Sequence, residues 1–144
     1  MHITDVMRRK RDRNTVVTIA PEETLERAAK LMADRLVGAL VVCDRKGNLF
    51  GVIAERDIVR ALAFRGPEAL DLKVQHVTPA DMPVCSPADA INDVVERVGA
   101  EGVGYLVVKH EGRMIGIVSV GDLLKAGLAD KTDEEPPPAT PWYA

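Results

Sequence analysis

The chain repeats itself, and that repetition limits its fold more than any other feature. Pro21 recurs as Pro87, 66 positions later. The same offset carries Leu25, Ala28, Ala29 and Met32 onto Ile91, Val94, Val95 and Val98. Both sets are spaced i, i+3, i+4, i+7, as one apolar face of a helix requires. It also carries Val37-Gly38-Ala39-Leu40-Val41-Val42 onto Val103-Gly104-Tyr105-Leu106-Val107-Val108, two β-branched runs that read as buried strands. The turn Asp44-Arg45-Lys46-Gly47-Asn48 is matched by His110-Glu111-Gly112-Arg113, one residue shorter, and the offset falls to 65. A hairpin turn tolerates such a deletion, and Gly47-Asn48 and Gly112 supply its turn chemistry.

Past the turns, Gly51-Val52-Ile53-Ala54-Glu55-Arg56-Asp57 is matched by Gly116-Ile117-Val118-Ser119-Val120-Gly121-Asp122. Each reads as a buried strand running into a helix, with a carboxylate in the helix's first turn. The pattern predicts strands over 49–53 and 114–118 and helices over 55–64 and 120–128. Each copy is therefore strand, helix, strand, hairpin, strand, helix, over roughly 50 residues, too few to bury a stable core alone. Two copies can bury their sheet faces against each other about a pseudo-twofold axis. The fold class expected is α+β, an α/β-type sandwich of two βαββα repeats.

The organisation follows: an N-terminal helix and basic arm over 1–14, the first repeat over 15–66, a connector over 67–81, the second repeat over 82–128 and a tail over 129–144. Ile3, Val6 and Met7 share one face of a short helix. Arg8, Arg9, Lys10, Arg11 and Arg13 make either a solvated basic arm or an electrostatic clasp over a phosphate-bearing ligand. Gly66-Pro67 is expected to break the chain, and Val74 and Val77 to form one helical turn ending at Pro79. The tail, with Pro136-Pro137-Pro138, is expected to be largely disordered.

With 19 Lys+Arg against 22 Asp+Glu, the charge balance favours neither nucleic acid nor membrane. No run approaches membrane-spanning length and no signal-peptide pattern opens the chain, so a cytoplasmic protein is expected. Cys43 and Cys85 form neither a disulfide framework nor a zinc site, and His2, His76 and His110 are scattered. No nucleophile–base pair stands out, so catalysis is not expected and no catalytic cofactor is called for.

Ser119-x-x-Asp122 carries two meanings. It is a helix capping box, in which serine caps and the carboxylate reaches back. It is also a ligand motif: an ionised carboxylate accepts from two vicinal hydroxyls, such as ribose 2′ and 3′, and a hydroxyl beside unpaired helix N–H groups suits a phosphate oxygen. Ala54 replaces the hydroxyl residue in the first copy, which makes Asp57 a poor cap and asks for another role. The two roles available are ribose binding and charge complementarity to the helix dipole.

The doubled βαββα unit, each copy closing on this glycine–strand–helix–Asp motif, resembles the cystathionine-β-synthase (CBS) domain family over residues 3–127. The match is to its small stand-alone bacterial members, in which two domains pair as a Bateman module. The resemblance implies a non-catalytic regulatory sensor of adenosine-containing ligands: AMP, ADP, ATP or S-adenosylmethionine. It implies two clefts, each joining the last strand–helix junction of one repeat to the first strands of the other. Ser119 and Asp122 would face Asn14, Thr15, Val37 and Gly38. Asp57 would face Asp81, Met82, Val103 and Gly104, and Tyr105 would either stack on a base there or pack at the rim. Ser119 completes its motif, so the Ser119/Asp122 cleft is expected to be the better nucleotide site. Gly38-Ala39 and Gly104-Tyr105 stand where many members carry phosphate-neutralising basic residues. A homodimer and a separate effector protein are implied as partners. The alternative is a protein-interaction adaptor with vestigial clefts.

Overall fold

The computed structural model describes residues 1–9, 16–99 and 104–131. Helix α1 (Ile3–Arg9) leads into the first copy, β1 (Thr18–Ile19), α2 (Leu25–Arg35), β2 (Ala39–Cys43), β3 (Leu49–Ala54) and α3 (Glu55–Arg65). The connector contributes a 3-10 helix (Gly66–Asp71) and α4 (Val74–Val77). The second copy is β4 (Val84–Cys85), α5 (Ile91–Gly99), β5 (Tyr105–His110), β6 (Arg113–Ser119) and α6 (Val120–Lys131). Each copy forms a three-stranded sheet, β1-β2-β3 and β4-β5-β6. The first strand runs parallel to the middle one and the third antiparallel. The α+β architecture expected from the repeat is the one observed.

Local chemistry explains the boundaries. The Thr24 hydroxyl accepts from the Arg27 N–H (3.2 Å) and starts α2. Leu36 ends it in the left-handed region at φ 55°. In the second hairpin His110 pairs with Arg113, and Glu111 and Gly112 between them take φ 51° and 77°. Two positive φ angles make the tight turn whose twist suits antiparallel strands. The first hairpin is longer, so the Asp44 carboxylate organises it by accepting from the N–H groups of Lys46 (2.9 Å) and Asn48 (2.8 Å). Gly66 ends α3, but Pro67 does not simply break the chain: it sits in the first turn of the 3-10 helix, where its missing N–H costs nothing. α4 is the single turn expected before Pro79.

Each sheet has two buried faces. Leu40, Val42 and Ile53 pack with Leu25, Ala28 and Met32 beneath the first copy's helices. Leu106, Val108 and Val118 pack with Ile91, Val94, Val98 and Leu123 in the second. Val41 and Val107 are fully buried yet join neither cluster. Strand side chains alternate, so these two lie on the opposite faces, where the sheets of the two copies meet. That meeting face holds the clefts.

The segments that precede the copies are exchanged. Ile3 and Val6 of α1 pack into the second copy's core. Ala69 and Val74 of the connector pack into the first copy's core. The backbone repeats the exchange at equivalent positions. Leu25 N–H donates to Leu72 O (2.9 Å), and Ile91 N–H donates to Met1 O (3.1 Å). Val74 N–H donates to Glu23 O (2.7 Å), and Ile3 N–H to Asp89 O (3.0 Å). Single-residue bridges Thr24–Lys73 and His2–Ala90 complete each strap. The basic run from Lys10 onward and residues 132–144, Trp142 and Tyr143 included, lie outside the described residues.

Because Ile3 is fully buried in a core that is not its own copy's, Ile3→Ala is expected to lower stability by about 2–5 kcal/mol. Urea denaturation checks it. A loss below about 0.5 kcal/mol, the size of a surface change, would make α1 an appendage.

Candidate functional site

The two strand–helix junctions share one scaffold. Glu55 N–H donates to Gly38 O and Val120 N–H to Gly104 O, both at 3.0 Å. The first amide of each final helix is thus tied to the residue that opens its sheet's middle strand. At the second junction the capping box is complete: Ser119 Oγ accepts from the Asp122 N–H (3.0 Å), and Asp122 Oδ2 accepts from the Ser119 N–H (3.0 Å). At the first, Asp57 Oδ2 accepts from the Ala54 N–H at 2.7 Å, while Ala54 offers no side-chain acceptor. Asp57 therefore does make its half of the box, and that half fixes the carboxylate at the cleft mouth. Only the hydroxyl half is missing.

A cavity of about 350 Å³ opens beside Asp57, between the copies. That is within the range of small-molecule sites, roughly 300–1,000 Å³. Asp57, Asp81, Met82, Gly104 and Tyr105 all line it, as do Glu55, Arg56 and Arg60. Its apolar wall is Val52, Pro79, Pro83 and Val107. Three carboxylates and two guanidinium groups surround it, so it carries no excess positive charge. Arg60 and the two prolines escaped the reading of the sequence. Arg60 had a signal, since it lies three residues beyond Asp57 and so shares its face of α3.

Val37 and Gly38 line a more open hollow of about 630 Å³ with Met32, Leu36, Ile58, Val59 and Tyr105. Ser119 and Asp122 line neither space. Asn14, Thr15 and Val103 lie outside the described residues.

Tyr105 borders both spaces. Its hydroxyl crosses to the first copy: a Cβ placed on Gly38 would sit 2.5 Å from Tyr105 Oη and 3.3 Å from Glu55 Oε1. Burial raises the phenol's pKa, and the Glu55 and Asp122 carboxylates raise it further. Among the described residues, no group of three His, Cys, Asp or Glu side chains could hold a metal ion.

The unequal caps have a measurable consequence. Ala54→Ser, which supplies the missing hydroxyl, is expected to stabilise the chain by about 1 kcal/mol, and Ser119→Ala to destabilise it by about as much. Thermal melts of the two variants check this; equal and negligible shifts would mean that the hydroxyl contributes nothing.

Comparison with known proteins agrees with this architecture. The CBS domain model matches residues 3–64 and 74–129. An uncharacterised 17.7 kDa protein of Acidianus ambivalens is 32% identical over 114 residues, covering 78% of this chain and 68% of that protein. The crystal structure of a CBS-domain protein from Agrobacterium tumefaciens superposes with a TM-score of 0.81 at 29% identity, covering 88% of this chain and 92% of that one. A CBS domain protein from Pyrobaculum aerophilum, solved in complex with AMP, superposes with a TM-score of 0.74 at 22% identity, covering 90% and 97%. With its doubled sheet, its paired strand–helix junctions and two separate matches to the family model, the chain belongs to the CBS domain family.

Proposed function

We propose that the chain is a non-catalytic regulatory module that binds an adenosine-bearing ligand of the AMP, ADP or ATP class in the Asp57 cleft. The observation that carries this is a cavity in which Asp57 and Arg60 of the first copy meet Asp81 of the connector and Met82, Gly104 and Tyr105 of the second copy. This choice departs from the preference for the Ser119/Asp122 cleft that the motif alone suggests. The AMP held by the related Pyrobaculum protein supports the ligand class.

The roles follow from the chemistry. An ionised carboxylate offers about four acceptor directions, and Ala54 N–H takes one at Asp57. The rest can accept from the two ribose hydroxyls. Arg60, one turn further along α3, stands where it can meet phosphate. Because Ala54 brings no hydroxyl to cap the helix, the first-turn amides of α3 beyond Glu55, whose own N–H is held by Gly38 O, can turn to an anion as well. Val52, Met82, Pro83 and Val107 give an adenine ring an apolar slot. Three carboxylates against two guanidiniums favour few phosphates, so AMP is expected to bind more tightly than ATP. S-adenosylmethionine, which brings no phosphate, is the competing ligand.

A ligand there touches both copies, so it can bias their relative orientation or rigidity. A separate effector protein would read that change. Val59 on α3 and Leu124 on α6 are exposed apolar side chains. We assign these outer helix faces to a homodimer contact. No described helix is long and apolar enough to cross a membrane, and the module is assigned to the cytoplasm.

A thermal-shift titration with AMP, ADP, ATP and S-adenosylmethionine tests the reading. At about 100 times its dissociation constant, a ligand stabilises the folded state by about 2.7 kcal/mol. For a chain of this size that is a rise of roughly 5–10 °C. Asp57→Ala is expected to abolish the shift, with its own unliganded melt as baseline. The absence of a shift with every ligand at millimolar concentration would transfer the assignment to a protein-interaction adaptor.

A further inference from the structure

We propose that Tyr105 makes the two clefts unequal: its ring crosses to Gly38 and closes the Ser119/Asp122 cleft, so that each chain takes one nucleotide rather than two. This rests on the adenosine-binding reading and adds to it a stoichiometry and the residue that sets it.

The copies themselves provide the comparison. Gly38 and Gly104 are equivalent positions, each opening a middle strand and each accepting the first amide of its copy's last helix. At Gly104 the floor of the cleft is open: among the described residues, nothing lies nearer to an added Cβ than Arg56 Cζ, at 4.0 Å. At Gly38 the same Cβ would meet Tyr105 Oη at 2.5 Å and the Glu55 carboxylate at 3.3 Å. Two exchanges between the repeats produce the difference. The counterpart of Tyr105 is Ala39, which is too short to cross from the first copy to the second. The counterpart of Glu55 is Val120, which brings no charge.

The ring is well placed for this. Tyr105 pairs directly with Ser119 across β5 and β6, so their side chains stand on one face of the sheet, about 4.5–5.5 Å apart at Cβ. The side chain therefore leaves the sheet beside the serine and ends with its hydroxyl at the glycine assigned to the same cleft. Ser119 Oγ is itself committed to the Asp122 N–H. On its other side Tyr105 forms part of the wall of the open Asp57 cleft. One side chain thus borders one site and fills the other.

Isothermal titration of the full chain with AMP tests the proposal. The parent is expected to bind one AMP per chain. Tyr105→Leu, which keeps an apolar wall for the Asp57 cleft but cannot reach Gly38, is expected to bind two. Adding either Asp122→Ala or Asp57→Ala to it should return the count to one, whereas Tyr105→Phe, which keeps the ring, should stay at one. Thermal melts identify any variant that fails to fold. Two AMP per parent chain would overturn the proposal, as would one AMP per chain in a folded Tyr105→Leu that Asp57→Ala abolishes. Either result leaves the adenosine reading standing. No AMP bound by any of these proteins would overturn that reading and this proposal with it.

Discussion

The first helix of each copy begins on a backbone N–H that is answered by a carbonyl from the other copy's leading segment, Leu72 for Leu25 and Met1 for Ile91. Beside each hydrogen bond an apolar anchor is inserted, Val74 in one core and Ile3 in the other, both fully buried. Neither core is closed by its own repeat. Pulling a strap out would expose the anchor and leave a buried amide without its acceptor, and the second cost is about 1–3 kcal/mol. The relative placement of the two sheets, and with it the shape of the space between them, depends on these reciprocal contacts.

Between the sheets, pseudo-symmetry supplies two equivalent places and small exchanges make them different. Ala54 against Ser119 decides whether a helix start is closed by its own cap. Tyr105 against Ala39 decides whether a side chain spans the gap. Glu55 against Val120 decides which side carries an extra carboxylate. The first two exchanges act in the same direction, opening the Asp57 side and filling the other, while the Glu55 carboxylate borders both spaces. The strand–helix junction that carries the fuller motif is, for that reason, the one whose groups are already engaged with one another. Completeness of a capping box and availability to a ligand work against each other here.

The repeat made most of the fold legible. The 66-residue offset placed both amphipathic helices and both middle strands, because an apolar face spaced i, i+3, i+4, i+7 and a β-branched run have few other uses. The Asp57 cleft was legible from its family resemblance: Asp81, Met82, Gly104 and Tyr105 line one cavity with it. What could not be read was direction across the interface. Ile3 and Val74 announce burial by their spacing, but spacing does not say whose core receives them. Tyr105 reads as an aromatic near Asp57, and only the packing shows its hydroxyl on Gly38 of the other copy. Arg60 lies one turn beyond the motif, on the helix face behind Asp57, where the motif itself gives no sign of it. The basic run from Lys10 and the tail beyond Lys131 are outside the described residues, so their expected roles gain nothing from the fold.

The exchanged straps also impose an order in time. As the chain grows, α1 is made before either copy, but its seat beside Asp89 and Ile91 is made late. The first copy's own residues are complete at Arg65, yet its core stays open until Val74 follows. These are contacts between residues far apart in sequence, and closing such loops is the slow part of folding. A helix synthesised ahead of both repeats is thus among the last parts of them to be placed. Two repeats that look like two domains when laid side by side are, for the growing polypeptide, a single unit that closes only when its second half arrives.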